Sequence, residues 1–180
     1  MQGVPHHLLD VAEITEGFSA GSQGGVFASA YATFTMNDGL IDGNDSTWTG
    51  ANVGAGGTNS VLDINGGTIS NGESEKGAGG NLFIQNGATV TVDNATISDG
   101  ITKTAGGNIQ YEGGSATFTN CTISGGNAST TGGNINVALA SGATFDKCDF
   151  VNCEITGGHS TGIGGNINIS VAGSSFTGCE

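Results

Sequence analysis

The chain has 180 residues, with 35 Gly and one Pro, and its 16 acidic residues against three Lys or Arg give a formal net charge of -13 at pH 7. Gly makes up about a fifth of the chain, against roughly 7% in average proteins, which argues against a helical bundle because each interior Gly costs a helix about 1 kcal/mol. A hydrophobic content of 36% is too high for a disordered acidic tail. The sequence has no strict Gly-X-Y period and no long apolar run, so collagen and a membrane-spanning helix are excluded. The cations outside histidine are Lys76, Lys103 and Lys147. Nucleic acid and anionic membrane surfaces are therefore disfavoured as partners.

Residues 1–23 differ from the rest of the chain, with Pro5, the adjacent His6 and His7, and an apolar run at Leu8-Leu9-Asp10-Val11. They lack a charged start followed by a long apolar core, so they do not read as a secretory leader. The string Gly3-Val-Pro-His-His-Leu-Leu-Asp-Val11, with Phe18-Ser-Ala20, resembles a segment of tRNA dimethylallyltransferases. Those enzymes hold a diphosphate with a Gly-x-x-x-x-Gly-Lys-Ser/Thr loop, which has no counterpart here. No transferase activity is therefore expected, and the segment reads as a fusion or as a cap on the remainder of the chain.

From residue 24 the chain repeats. Gly-Gly pairs fall at Gly24, Gly56, Gly79, Gly106, Gly132 and Gly164, and four of them continue as Gly-Gly-Asn-Leu or Gly-Gly-Asn-Ile. Between them recurs a hexad: Met36 to Ile41, Ile64 to Ile69, Val92 to Ile97 and Phe118 to Ile123, with a partial copy from Phe176 to Glu180. Its ends are large and apolar, its fourth position is small, and alternation such as Ala88-Thr-Val-Thr-Val92 marks half-buried strands bounded by Gly/Asn/Asp/Ser turns. One such unit cannot bury its apolar side alone. Copies stacked about 4.8 Å apart enclose a narrow continuous core. The pattern predicts an all-β chain: a parallel β-helix (solenoid) over residues 24–180, of about six coils with a period of about 27 residues.

The fifth unit admits two registers, because Phe145 to Phe150 and Phe150 to Ile155 both fit the hexad. Either places a cysteine, Cys148 or Cys153, above Cys121, and Cys179 continues the same position. These are expected to be packed free thiols. The last hexad stops at Cys179-Glu180, where a bare β-helix end would expose an unpaired edge, so a longer parent chain or an assembly is expected.

The Gly-Gly-Asn-Ile runs at Gly106, Gly132 and Gly164, with Phe34-Thr-Met-Asn37 and Phe83-Ile-Gln-Asn86, resemble the Gly-Gly-Ala-Ile and Phe-x-x-Asn repeats of polymorphic outer-membrane proteins. The resemblance implies a right-handed parallel β-helix displayed at a cell surface as an adhesin or autotransporter passenger. It carries no membrane-inserting barrel of its own, and its expected location is extracellular or at the cell surface.

Two side-chain series are candidates for a surface role. Thr68-Ile-Ser70, Thr96-Ile-Ser98 and Thr122-Ile-Ser124 place outward hydroxyls in register, as an ice-binding face would require or as any exposed strand prefers. Asn81, Asn108, Asn134 and Asn166 form a second series, expected to point outward and stack along a turn. The carboxylate pairs nearest in sequence, Asp42 with Asp45, Glu73 with Glu75 and Asp146 with Asp149, read as solvating charges. His159 has no Cys at zinc spacing. No catalytic constellation, metal or cofactor is expected. The expected partner is a surface ligand, a glycan or ice, with a polysaccharide-active enzyme as the remaining alternative.

Overall fold

The computed structural model describes residues 12–180 apart from 16, 20, 22, 23 and 86. Those residues form short strands in four parallel six-stranded sheets, with no helix, and the chain visits the sheets in turn as it winds through about six coils. Sheet A contains Ala12–Thr15, Gly39–Asp42, Thr68–Ser70, Thr96–Ser98, Thr122–Ser124 and Glu154–Thr156. Sheet B contains Phe18–Ser19, Asp45–Ser46, Glu73–Ser74, Ile101–Thr102, Asn127–Ala128 and His159–Ser160. Sheet C contains Val26–Ala28, Val53–Ala55, Leu82–Ile84, Ile109–Tyr111, Ile135–Val137 and Ile167–Ile169. Sheet D contains Thr33–Met36, Ser60–Ile64, Ala88–Asp93, Gly114–Thr119, Phe145–Val151 and Ser175–Thr177. The period is about 28 residues.

The hexad ends build the core. In sheet A, Ile14, Ile41, Ile69, Ile97, Ile123 and Ile155 stand in one register column. In sheet D, Met36, Ile64, Val92, Phe118, Phe150 and Phe176 form another. Alternation along each strand turns these side chains inward, and Ile97 and Phe118 have no exposed surface. Complete burial of such a side chain contributes about 1.5–3 kcal/mol. The three phenylalanines stack, with Phe118–Phe150 and Phe150–Phe176 ring centroids each 4.7 Å apart and planes within 4° and 7° of parallel. That spacing matches the distance between coils.

The fifth coil takes the second of its two registers. Phe150 pairs with Phe118 and Ile155 with Ile123, while Phe145 lies opposite Gly114 across a bulge at Asp146. Cys153 therefore continues the column of Cys121 and Cys179, and Cys148 lies over Ala116 in a different one. The expected boundary at residue 24 also moves. Ala12–Thr15 pairs with Gly39–Asp42 and Phe18–Ser19 with Asp45–Ser46, so the solenoid begins within the segment that carries no repeat marker. Backbone pairing needs no marker, and Ile14 already supplies the inward isoleucine. His6, His7 and the apolar run at residues 8–11 lie outside the described residues.

Candidate binding faces and internal ladders

The Gly-Gly-Asn motif is explained by where its asparagines point. Asn81, Asn108 and Asn134 are fully buried, which corrects the outward orientation expected from sequence; Asn166, in the last coil, is exposed. Each amide donates to the next: Asn52 to Asn81, Asn81 to Asn108 and Asn108 to Asn134 at 2.7 Å, and Asn134 to Asn166 at 2.9 Å. The steps are 29, 27, 26 and 32 residues, one per coil. Each amide oxygen also accepts a backbone N–H from the entrance to sheet B, as Asn108 does from Gly100 at 2.8 Å. Its second N–H reaches a backbone carbonyl of sheet A, for Asn108 that of Ser124 at 2.7 Å. The turn is inverted because the first glycine of the motif is left-handed (Gly79, Gly106 and Gly132 at φ 70°, 64° and 60°), which swings the next side chain inside.

Sequence reading missed the beginning of this ladder. Gly50-Ala51-Asn52, not Gly56-Gly57, holds the equivalent place in the second coil, since Val53 pairs with Leu82. One coil earlier, Val26 pairs with Val53, so Gly25 stands where the asparagine would be. Asn44 enters from the sheet B side and fills the gap, donating to Asn52 Oδ1 at 2.7 Å and to the Ile14 carbonyl at 3.0 Å, and accepting from Gly17 N at 2.7 Å. A buried amide with all its partners satisfied specifies register.

The hydroxyl series of sheet A stays in register. Thr68, Thr96 and Thr122 form one column and Ser70, Ser98 and Ser124 the other. The columns continue into Leu40 and Asp42 on one side and Glu154 and Thr156 on the other. Asp42 accepts from Ser70 Oγ at 2.5 Å and Asn71 Nδ2 at 2.8 Å. A second hydroxyl face went unread in the sequence. On sheet D, Thr89 pairs with Ser115, Thr91 with Thr117 and Asp93 with Thr119, all on the partly or fully exposed side. Its signal was the repeated Thr-x-Thr at Thr33, Thr89 and Thr117, which alternation had already turned outward. The face is interrupted by Asp63 in one direction and by Lys147 and Asp149 in the other.

The architecture brings Asp45 and Glu73, which belong to different coils, together as register partners on the outer side of sheet B. That sheet is open, and Ile101, Asn127 and His159 follow in the same column. No group of three or more His, Cys, Asp or Glu side chains that could hold a metal occurs among the described residues.

All four cysteines are free. Cys121, Cys153 and Cys179 repeat one geometry, each thiol lying against a carbonyl of the coil before it: Val92, Phe118 and Phe150, at 3.5, 3.5 and 3.4 Å. The neighbouring Cys153 thiol, with burial adding to it, pushes the Cys121 thiol up, while the same pairing pulls the Cys153 thiol down. Burial, with the charge of Asp149, pushes Cys148 up to about 12. Access governs their chemistry, because Cys153 is only 1% exposed despite its lowered value. A maleimide is expected to modify Cys179 first and the other three only at the rate of local opening. Equal labelling of all four in the native protein would contradict this packing.

Comparison with protein-family models, curated proteins and solved structures returns no match to the chain.

Proposed function

We propose that the protein is a non-catalytic solenoid acting at a cell surface or outside the cell, where it presents hydroxyl columns to a repetitive ligand as an adhesin or stalk does. The observation that carries this reading is the register of Thr68, Thr96 and Thr122 beside Ser70, Ser98 and Ser124 across successive coils. A ladder of amides and a stacked apolar core hold these columns rigidly, so little entropy is lost on binding. Each of these hydroxyls other than that of Ser70, which is buried and donates to Asp42, offers a hydrogen bond worth about 1 kcal/mol, and repetition multiplies weak contacts. The resemblance to polymorphic outer-membrane proteins points the same way. A neutral glycan surface suits a chain of net charge -13 better than an anionic one.

A glycan array followed by retention on the best-bound sugar polymer tests the reading. Thr96→Val and Thr122→Val keep the shape of the strand and remove the hydroxyls. Each is expected to weaken retention about fivefold, from roughly 1 kcal/mol per lost hydrogen bond. A wild-type chain that binds nothing on the array, or valine variants that bind equally well, would sink it.

Ice is the second reading, favoured by the two-dimensional repeat of these columns. Hydroxyls recur about 4.8 Å apart between coils and about 6.6–6.8 Å apart along a strand, on sheet A and again on sheet D. Thermal hysteresis in the wild type that disappears in Thr96→Val would place ice above glycan.

A further inference from the structure

The corner between sheets C and D is crossed by connectors of unequal length. Ala55 and Ser60 bracket a longer one, Ile84 and Ala88 a shorter one, and Tyr111 is joined to Gly114 by Glu112 and Gly113 alone. In the next coil residues 138–144 make the crossing as a long loop. The shortest connector thus sits beside the longest, leaving a notch of about 360 Å³ floored by Gly57, Gln85 and Glu112 and walled by residues 140–143. The tight crossing is closed by Tyr111 Oη, which donates to the Gly114 carbonyl at 2.5 Å. The wall is fastened by Ala140 N donating to the Glu112 carbonyl at 3.3 Å, and by Ala143 N to Ala140 O at 3.0 Å.

The Glu112 carboxylate ends a second amide ladder, on the outer side of sheet C. Asn168 Nδ2 donates to Asn136 Oδ1 at 2.7 Å, Asn136 Nδ2 to Gln110 Oε1 at 2.9 Å, and Gln110 Nε2 to Glu112 Oε1 at 3.4 Å. Each N–H points towards the carboxylate, which is thereby oriented through one oxygen. Among the described residues the ion pair is Lys147 with Asp149, and no cation pairs with Glu112. Burial raises its carboxyl above the ordinary value, and the Gln110 hydrogen bond only partly opposes this. A half-buried carboxylate without a counter-charge gains from a cation that enters its cleft.

We infer that this notch binds a primary ammonium group on a linear alkyl chain, with Glu112 as its ion-pair partner. No aromatic ring lines the notch, so nothing stacks against a sugar or a base. An anion would meet Glu112 unscreened. Small walls at Gly57, Ala140, Gly142 and Ala143 admit unbranched methylenes, and a net charge of -13 draws cations to the protein. The ammonium has two possible sources, a free diamine or the lysine side chain of a partner. The site uses none of the hydroxyl columns and stands or falls separately from them.

The test is an amide NMR titration of the full chain with cadaverine, with a lysine blocked at both ends, and with 1-pentanol as the neutral match. Both amines are expected to give saturable shifts at Gln85, Glu112, Ser141 and Gly142, and pentanol none. Glu112→Gln is expected to weaken amine binding about tenfold or more, the loss of a charge-assisted hydrogen bond. Ala140→Phe, on the exposed wall, fills the notch and is expected to abolish binding with the carboxylate intact. If cadaverine binds more than about tenfold tighter than blocked lysine the source is a free diamine, and otherwise it is a lysine side chain. Absence of saturable shifts in the notch would overturn the site. So would shifts spread over Asp45, Glu73 and Asp99 that survive Glu112→Gln.

Discussion

Asn108→Leu is expected to cost about 4 kcal/mol or more and to lower the melting temperature by about 10 °C or more. Leucine fills nearly the same volume, so the loss is one of hydrogen bonds rather than of packing. The Asn108 amide accepts from Asn81 Nδ2 and Gly100 N and donates to Ser124 O and Asn134 Oδ1, at 2.7, 2.8, 2.7 and 2.7 Å. Asn81, Gly100 and Asn134 are buried where water cannot replace the missing group, and an unsatisfied buried polar group costs about 1–3 kcal/mol. The whole domain holds only about 5–15 kcal/mol. Asn166→Leu supplies the control, because Asn166 makes the same contacts with Asn134 and Gly158 but is exposed. Water then substitutes, and a loss of about 1 kcal/mol is expected. Urea unfolding of the two variants decides the matter: equal losses would mean that the buried ladder does not hold the coils together.

The contrast between those two asparagines also shows which parts of this fold a sequence can disclose. The isoleucine column and the phenylalanine stack were legible because the hexad repeats their spacing and strand alternation assigns a side to each residue within Ala88–Asp93 and within Thr96–Ser98. The asparagines were not, because they follow a left-handed glycine in an irregular turn, where period-two counting no longer holds. The same failure hid Asn44 and Asn52, since Gly56-Gly57 imitates the motif without occupying its place. The fifth coil was undecidable from spacing alone, its extra length lying in residues 138–144 and in the bulge at Asp146, ahead of the hexad. The candidate faces divide likewise. The hydroxyls of sheet A lie on the strand that follows the hexad turn and could be read directly, whereas the notch at Glu112 depends on connector lengths in several coils at once. No single repeat unit contains that information.

The second glycine of the motif answers to space rather than to backbone angle, and it yields the other large effect. A Cβ on Gly107 would overlap the carbonyl oxygen of Gly133 and the backbone N of Asn127, and would lie 2.7 Å from the carbonyl carbon of Gly126. Gly80 and Gly133 meet the next coil in the same way, at Gly107 and Gly165. All of these neighbours are backbone atoms held in the inter-coil ladder, so none can rotate aside as a side chain would. Gly107→Ala is therefore expected to cost about 3 kcal/mol or more, the upper part of the range for overpacking. It should also force the Asn108 amide off its partners, since the two residues are adjacent. Gly142→Ala separates conformation from space: its φ is +79° and a Cβ there meets nothing within 4 Å. Only the left-handed penalty remains, about 1–2 kcal/mol. The urea midpoint of Gly107→Ala should thus fall well below that of Gly142→Ala, although the substitution at Gly142 is the one made at a backbone angle that L residues avoid. The reverse order would mean that adjacent coils lie far enough apart at the Gly-Gly turn to admit a methyl group, and the close approach that fixes the asparagine ladder would have to be abandoned.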